Sequence, residues 1–289
     1  MKNTDAKRKN NSMWSQAWKR LKRNKTAMFG LALLILVVLG AIFAGVVAPE
    51  GYDAQNLRNR FIAPSASHIF GTDQYGRDIL VRVLYGARIS LSVGFSAVVL
   101  SVTIGTIIGA YAAYYGKNVD NILMRFIDIW MAIPNILLAI SVMAALGASV
   151  NNLVIAIAIG AIPGHARIVR SAVLSVINQE FIEAAVSNGA SDFRIITRYI
   201  LPNCLAPIIV QATMSVAKAI LSASSLSFIG LGVQQPIPEW GAMLSVGRTY
   251  IRDYPWIITF PGLAIMITIY GINLFGDGLR DALDPRLKH

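Results

Sequence analysis

An all-α integral membrane protein with six transmembrane helices is the fold class this chain predicts, and three observations predict it. Only 14% of its 289 residues are charged while 55% are hydrophobic, against roughly a quarter charged in soluble domains. The apolar residues also come in blocks. Thr26 to Pro49, Ile89 to Gly116, Ile129 to Ala166, Tyr199 to Ala217 continuing past Lys218 to Pro238, and Tyr254 to Gly276 hold no Asp, Glu, Lys or Arg. A run of about 20 such residues spans the hydrocarbon core at the helical rise. The third observation is the placement of charge. With the N-terminus in the cytosol, 18 of the 26 Lys and Arg residues fall inside and 7 outside, leaving Lys218 within a span. This is the positive-inside signature, and it accounts for the net charge of +11 without nucleic acid as a partner.

The elements follow in order. Residues 1–26 are a basic cytosolic segment in which Trp14, Trp18 and Leu21 stand at helical spacing among lysines and arginines. It is expected to lie on anionic membrane lipid of the inner leaflet, a solvated tail being the alternative. The run at 27–48 exceeds the about 7–15 residues of a signal-peptide core and reads as an uncleaved anchor. An outside loop, 49–88, leads into a core at 89–276, and a cytosolic tail at 277–289 closes the chain. Spans are expected near 89–115, 127–147, 153–171, 205–230 and 255–276, the long third run dividing at "GASVNN" (residues 147–152). Gly105 and Gly109, followed by Ala113, form a small-residue seam for a close helix neighbour. Pro134, Pro163 and Pro261 lie inside spans, where freed carbonyls need a packed neighbour or a wet cavity.

Signals for chemistry are missing from the sequence. There is no G-x-x-x-x-G-K-[ST] phosphate loop and no H-E-x-x-H, and His68, His165 and His289 are far apart. The one cysteine, Cys204, excludes an internal disulfide and fits no metal spacing. No catalytic residue, metal or cofactor is assigned to this chain, and His165 is expected to be a packing or interfacial residue.

Three polar features interrupt the apolar blocks. The first is "FIEAAVSNGASDFRIITRYILPN" (residues 181–203), a cytosolic loop expected at 172–204. A first helix there should stop at Gly189 in the left-handed conformation, and Ser191 should cap a second short helix ended by Pro202. Phe181, Ala184 and Ala185 share a face of that first helix, open either to another protein or to the rest of this chain. The second feature is the outside set Asp73, Arg77, Asp78, Arg82 and Arg88 among Gly71, Gly76 and Gly86, read either as ion-pair bracing or as a docking surface. The third is Gln211, Ser215, Lys218, Ser222 and Ser225, spaced +4, +3, +4 and +3 on an otherwise apolar helix. Such a stripe faces a translocation path or a partner chain, because polar groups against lipid are unfavourable.

Glu183-Ala184-Ala185, then Gly189, then Ile200-Leu201-Pro202 resembles the EAA motif of ABC-importer permeases. "HIFGTDQYGRDILVRVLYGARISL" (68–91) and "LSFIGLGVQQPIPEWGAML" (226–244) are similar to stretches of the dipeptide/oligopeptide/nickel permease group, and of its C-type subunit in particular. The likeness extends from the basic start to "GDGLRDALDPRL" (276–287). It implies that Glu183, Ala184, Ala185, Gly189, Ser191, Asp192, Arg194, Leu201 and Pro202 form a coupling loop docking on an ATPase. It also implies a homologous second permease subunit, two ATP-binding subunits carrying ATP and Mg, and an extracytoplasmic solute-binding protein, for which Asp73, Arg77, Asp78, Glu239 and Trp240 are the candidate docking residues if they do not serve as bracing alone. The location implied is the cytoplasmic (inner) membrane of a prokaryote, with both termini cytosolic. Where many relatives have a glutamate before the LSF stretch, Ala223 stands, so no role is carried over for that carboxylate. The solute implied is a short peptide, a glutathione-like peptide or a metal chelate. A self-contained secondary transporter is the rival class; it calls for repeats and ionisable relays, and Lys218 alone interrupts the spans. A membrane scaffold is the third.

Overall fold

The computed structural model describes residues 13–283. Lys2, Lys7, Arg8 and Lys9 of the basic segment, and Arg286, Lys288 and His289 of the tail, lie outside the described residues, as does the side chain of Trp14. The helices are α1 (Met13–Arg23), α2 (Lys25–Val47), α3 (Ile79–Tyr115), α4 (Lys117–Met131), α5 (Asn135–Leu146), α6 (Val150–Leu174), α7 (Glu180–Ser187), α8 (Asp192–Phe228), α9 (Trp240–Gly247) and α10 (Trp256–Leu283). Among the described residues the only β-pairing is an isolated bridge between Thr72 and Asp78. Five helices are long and apolar enough to cross a membrane, and α4 with α5 makes six if the pair counts as one span.

Three expectations about the helices change. The straight span at 127–147 is instead two helices, α4 and α5, meeting at 83° around Pro134. The span expected from residue 89 begins ten residues earlier, at Ile79, where Asp78 accepts the Val81 N–H as N-cap. The second helix of the loop at 172–204 does not end at Pro202. It runs on as α8 because Ile195–Ile200 widens to a π-helix, with Leu201 N–H donating to Ile196 O. That wider turn takes Pro202 into the helix with no α-register bond left to break. The division between α5 and α6 falls where the sequence placed it, with Gly147 at φ 84° and Ser149 capping Asn152.

Close approaches set the bundle. A Cβ on Gly109 would lie 2.3 Å from Ala166 O, and one on Gly105 would lie 2.6 Å from His165 Cβ. The seam glycines therefore bring α3 onto α6. Gly30 of α2 meets α10 in the same way, 2.7 Å from Leu274 Cβ. At the N-terminal end, Ala17 and Leu21 of α1 are buried with Ala282 and Leu283 of α10. Leu21 thus faces protein and not the leaflet. Trp18 is exposed, with Lys22 over its ring.

Candidate functional site

Residues 50–87 and 232–253 pack together as a cap on one end of the bundle, and the cap is braced from within. Asp73 accepts from the Arg77 Nε at 2.7 Å and from the backbone N–H of Tyr75 and Arg77. Arg77 also reaches Asp53, and Arg82 reaches Gln235 and the carbonyl of Pro236. Asp73, Arg77 and Arg82 are each under 5% exposed, and Glu239 and Trp240 are fully buried. Glu239 caps α9 through the Ala242 N–H and accepts from Ser90, while the Trp240 Nε1 donates to Val83 O at 3.0 Å. Asp78, partly buried, caps α3 and bonds His68. Four of the five residues expected at a docking surface, Asp73, Arg77, Glu239 and Trp240, are buried in the isolated chain and offer no exposed side chain, while Asp78 keeps a partly exposed carboxylate. Arg88 serves the same bracing, donating to the carbonyls of Ala41 and Ile42 on α2.

The loop at the other end is built differently. Gly189, at φ 74°, closes α7 with Gly189 N–H on Val186 O and Ala190 N–H on Ala185 O, a complete Schellman pair. Ala185 and Ile182 face the core, while Phe181, Glu183, Ala184 and Val186 are exposed. Ala185 therefore does not share an open face with Phe181 and Ala184, as the sequence reading held; its small side chain lets α7 seat on the bundle. Ser191 stands at the N-cap of α8 but its side chain makes no capping bond. Asp192 instead binds across the loop, accepting from the hydroxyls of Tyr114 at 2.8 Å and Tyr115 at 2.9 Å. Arg194 and Pro202 are exposed and Leu201 is half-buried. Sequence reasoning missed the two tyrosines, whose only local signal is a Tyr pair at the end of a long apolar run.

Between the ends lies a cavity of about 550 Å³, walled by α3, α5, α6 and α8. Gln211, Ser215, Lys218 and Ser222 line it, and Gln211 Nε2 donates to Ser215 Oγ at 3.4 Å. Ser225, the fifth member of the stripe, is exposed, does not line the cavity, and donates to Leu221 O. His165 and Asn135 line the cavity as well, and the sequence assigned neither to it. A Pro-Asn pair inside an apolar run was the available signal for Asn135. Ala223, where relatives were expected to bear a carboxylate, is buried and apolar. Among the described residues no cluster of His, Cys, Asp and Glu could hold a metal.

A helical bundle with a cavity in its wall that a polar stripe lines, and a helix at one end whose outer face is left open, has the form of a transport subunit, and the comparisons agree. Residues 105–289 match the family described as "Binding-protein-dependent transport system inner membrane component", and residues 12–64 match the "N-terminal TM domain of oligopeptide transport permease C". The chain belongs to this family, as a multi-pass inner-membrane permease of the C type. It is 51% identical to the dipeptide transport system permease protein DppC of Alkalihalophilus pseudofirmus, covering 96% of this chain and 91% of that one. It is 48% identical to the glutathione transport system permease protein GsiD of Escherichia coli, covering 95% and 91%. The di/tripeptide permease DppC of Pseudomonas aeruginosa is 44% identical, covering 94% and 92%. The fold resembles that of the MetNI methionine ABC transporter in an inward-facing form, with a TM-score of 0.57 and 20% identity over 70% of this chain and 96% of that chain.

Proposed function

We propose that this permease works in an ATP-driven importer of short peptides. It pairs with a homologous second permease subunit and two ATP-binding subunits, and it receives solute from an extracytoplasmic binding protein. ATP and Mg bind on the partner ATPases, and this chain has no ATPase site of its own. Both termini and residues 172–204 face the cytosol, and residues 50–87 and 232–253 face outside. Residues 1–26, 27–48, 49–88, 89–276 and 277–289 are the functional segments. The short-peptide class is supported by the likeness to dipeptide, di/tripeptide and glutathione permeases over more than nine-tenths of the chain.

The observation that carries the reading is the outer face of α7. Its inner face, Ile182 and Ala185, is sealed into the core, while Glu183, Ala184 and Val186 stay outside it. A groove of about 560 Å³ beside them, lined by Tyr114, Tyr115, Glu183 and Asp192, gives an ATPase subunit something to grip. Glu183, Ala184, Gly189, Ser191, Asp192, Arg194, Leu201 and Pro202 act in coupling, with Ala185 as the seat of the helix. Closure of the ATPases moves α7, and the continuous α8 carries that motion to Gln211, Ser215, Lys218 and Ser222, the wall of the path, with Ser225 at its end.

The test is uptake by vesicles holding the assembled complex with Glu183→Arg. Uptake should be lost while the subunits still co-purify, since an exposed charge reversal costs no more than about 0.5 kcal/mol of fold stability. Full uptake by this variant would reduce α7 to a cap on the bundle. A single cysteine at position 192 in a Cys204→Ser background checks the topology: an impermeant thiol reagent should reach it only after the cells are opened.

A further inference from the structure

We propose that the wall cavity is a carboxylate-binding station, in which Lys218 and the N-terminus of α5 together hold the free carboxylate of the passing solute. This rests on reading the cavity as the path and adds to it the chemistry it selects.

The bend at Pro134 creates half of the station. It starts α5, a helix of 12 residues, at the cavity wall. Pro134 occupies the N-cap with no side-chain capping bond, and its carbonyl takes the N–H groups of Leu137 and Leu138. The N–H groups of Asn135 and Ile136, both cavity residues, have no partner. An uncapped helix start carries a partial positive charge and free donors, the arrangement in which broken membrane helices meet anionic groups.

Lys218 supplies the other half. It lines the cavity from α8, is exposed on the isolated chain and makes no hydrogen bond or ion pair among the described residues, and the cavity lining has no Asp or Glu. The two carboxylates of α4 are already held, Asp120 by Arg170 and Asp128 by Arg167. His165, 4% exposed and also on the lining, makes no hydrogen bond among the described residues. A buried polar group left without a partner is costly, and so is a membrane ammonium without an anion. One full charge and two adjacent backbone donors suit a monoanion, and Gln211, Ser215 and Ser222 add neutral polar groups for the amide part of a peptide. A carboxylate meets these terms, and a dianionic phosphate would leave charge uncompensated.

The experiment uses the assembled complex with Cys204→Ser and Ser222→Cys, one turn from Lys218, with the background measured on Cys204→Ser alone. The rate of modification is compared for two methanethiosulfonates, one bearing a sulfonate and one a trimethylammonium, each normalised to a free thiol in solution. The anion should be favoured, and adding Lys218→Met should lower the anion-to-cation ratio on the order of tenfold while Lys218→Arg keeps it. Alanyl-alanine should slow the modification more than alanyl-alaninamide does. An unchanged ratio in Lys218→Met, or equal protection by acid and amide, overturns the station. No reaction with either reagent shows a dry cavity and overturns the path reading itself. Loss of the complex in Lys218→Met together with Lys218→Arg assigns Lys218 to pairing with the second permease and overturns the station as well.

Discussion

The cap and the loop at 172–204 are written in nearly the same residues, glycines and charges between apolar runs, yet they fold to opposite ends. In the cap the charges point inward: Asp73, Arg77, Arg82 and Glu239 are buried and bound to one another, to backbone and to Ser90. In the loop Glu183, Asp192, Arg194 and Arg198 are all exposed, and only Asp192 is tied to another element. Buried charges fix a shape at high cost if one is removed, and exposed charges cost little and remain free to meet a partner. The cap is therefore a brace, and the loop leaves its charges free for the contact proposed for it.

Removing a charge from each region should expose that difference. The largest loss of stability is expected from Asp73→Ala, which leaves Arg77 and Arg82 inside the cap without their common carboxylate; about 3–5 kcal/mol is expected. Thermal unfolding of the detergent-solubilised complex measures it, and a loss below about 1 kcal/mol would mean that the cap charges are hydrated after all. Gly189→Val comes next. A β-branched residue at φ 74° costs roughly 1–2 kcal/mol, although open space surrounds the position, so the protein should still insert and assemble while uptake fails. Asp192→Asn should act least on stability. It weakens the tie to Tyr114 and Tyr115 without unsealing Ile182 and Ala185, so limited proteolysis of residues 188–192 should quicken while the melting point stays put.

Much of the architecture was legible because it is local. Apolar runs set the number of spans, Gly105 and Gly109 set the α3–α6 seam, and Gly189 set the end of α7. What escaped depends on distant partners or on register. Arg82 and Trp240 are buried because segments about 150 residues apart close on each other, and no local pattern distinguishes such a loop from a solvated one. The apolar run through Pro134 reads alike whether it crosses straight or folds back by 83°. Pro202 looked like a stop because the π-turn before it is a register change, not a composition. In the candidate path, a +4, +3 rhythm found four of the cavity's polar residues. It missed His165 and Asn135, which other helices supply.

Docking of an ATPase on the outer face of α7 can be read from thiol accessibility. In a Cys204→Ser background, Ala184→Cys is modified in the isolated permease pair and again after the ATP-binding subunits are added, with Ile182→Cys as the buried reference. Position 184 should be modified rapidly in the permease pair, and its rate should fall to that of the buried reference once the ATPases are bound. An undiminished rate at position 184 in a complex that imports solute would contradict it.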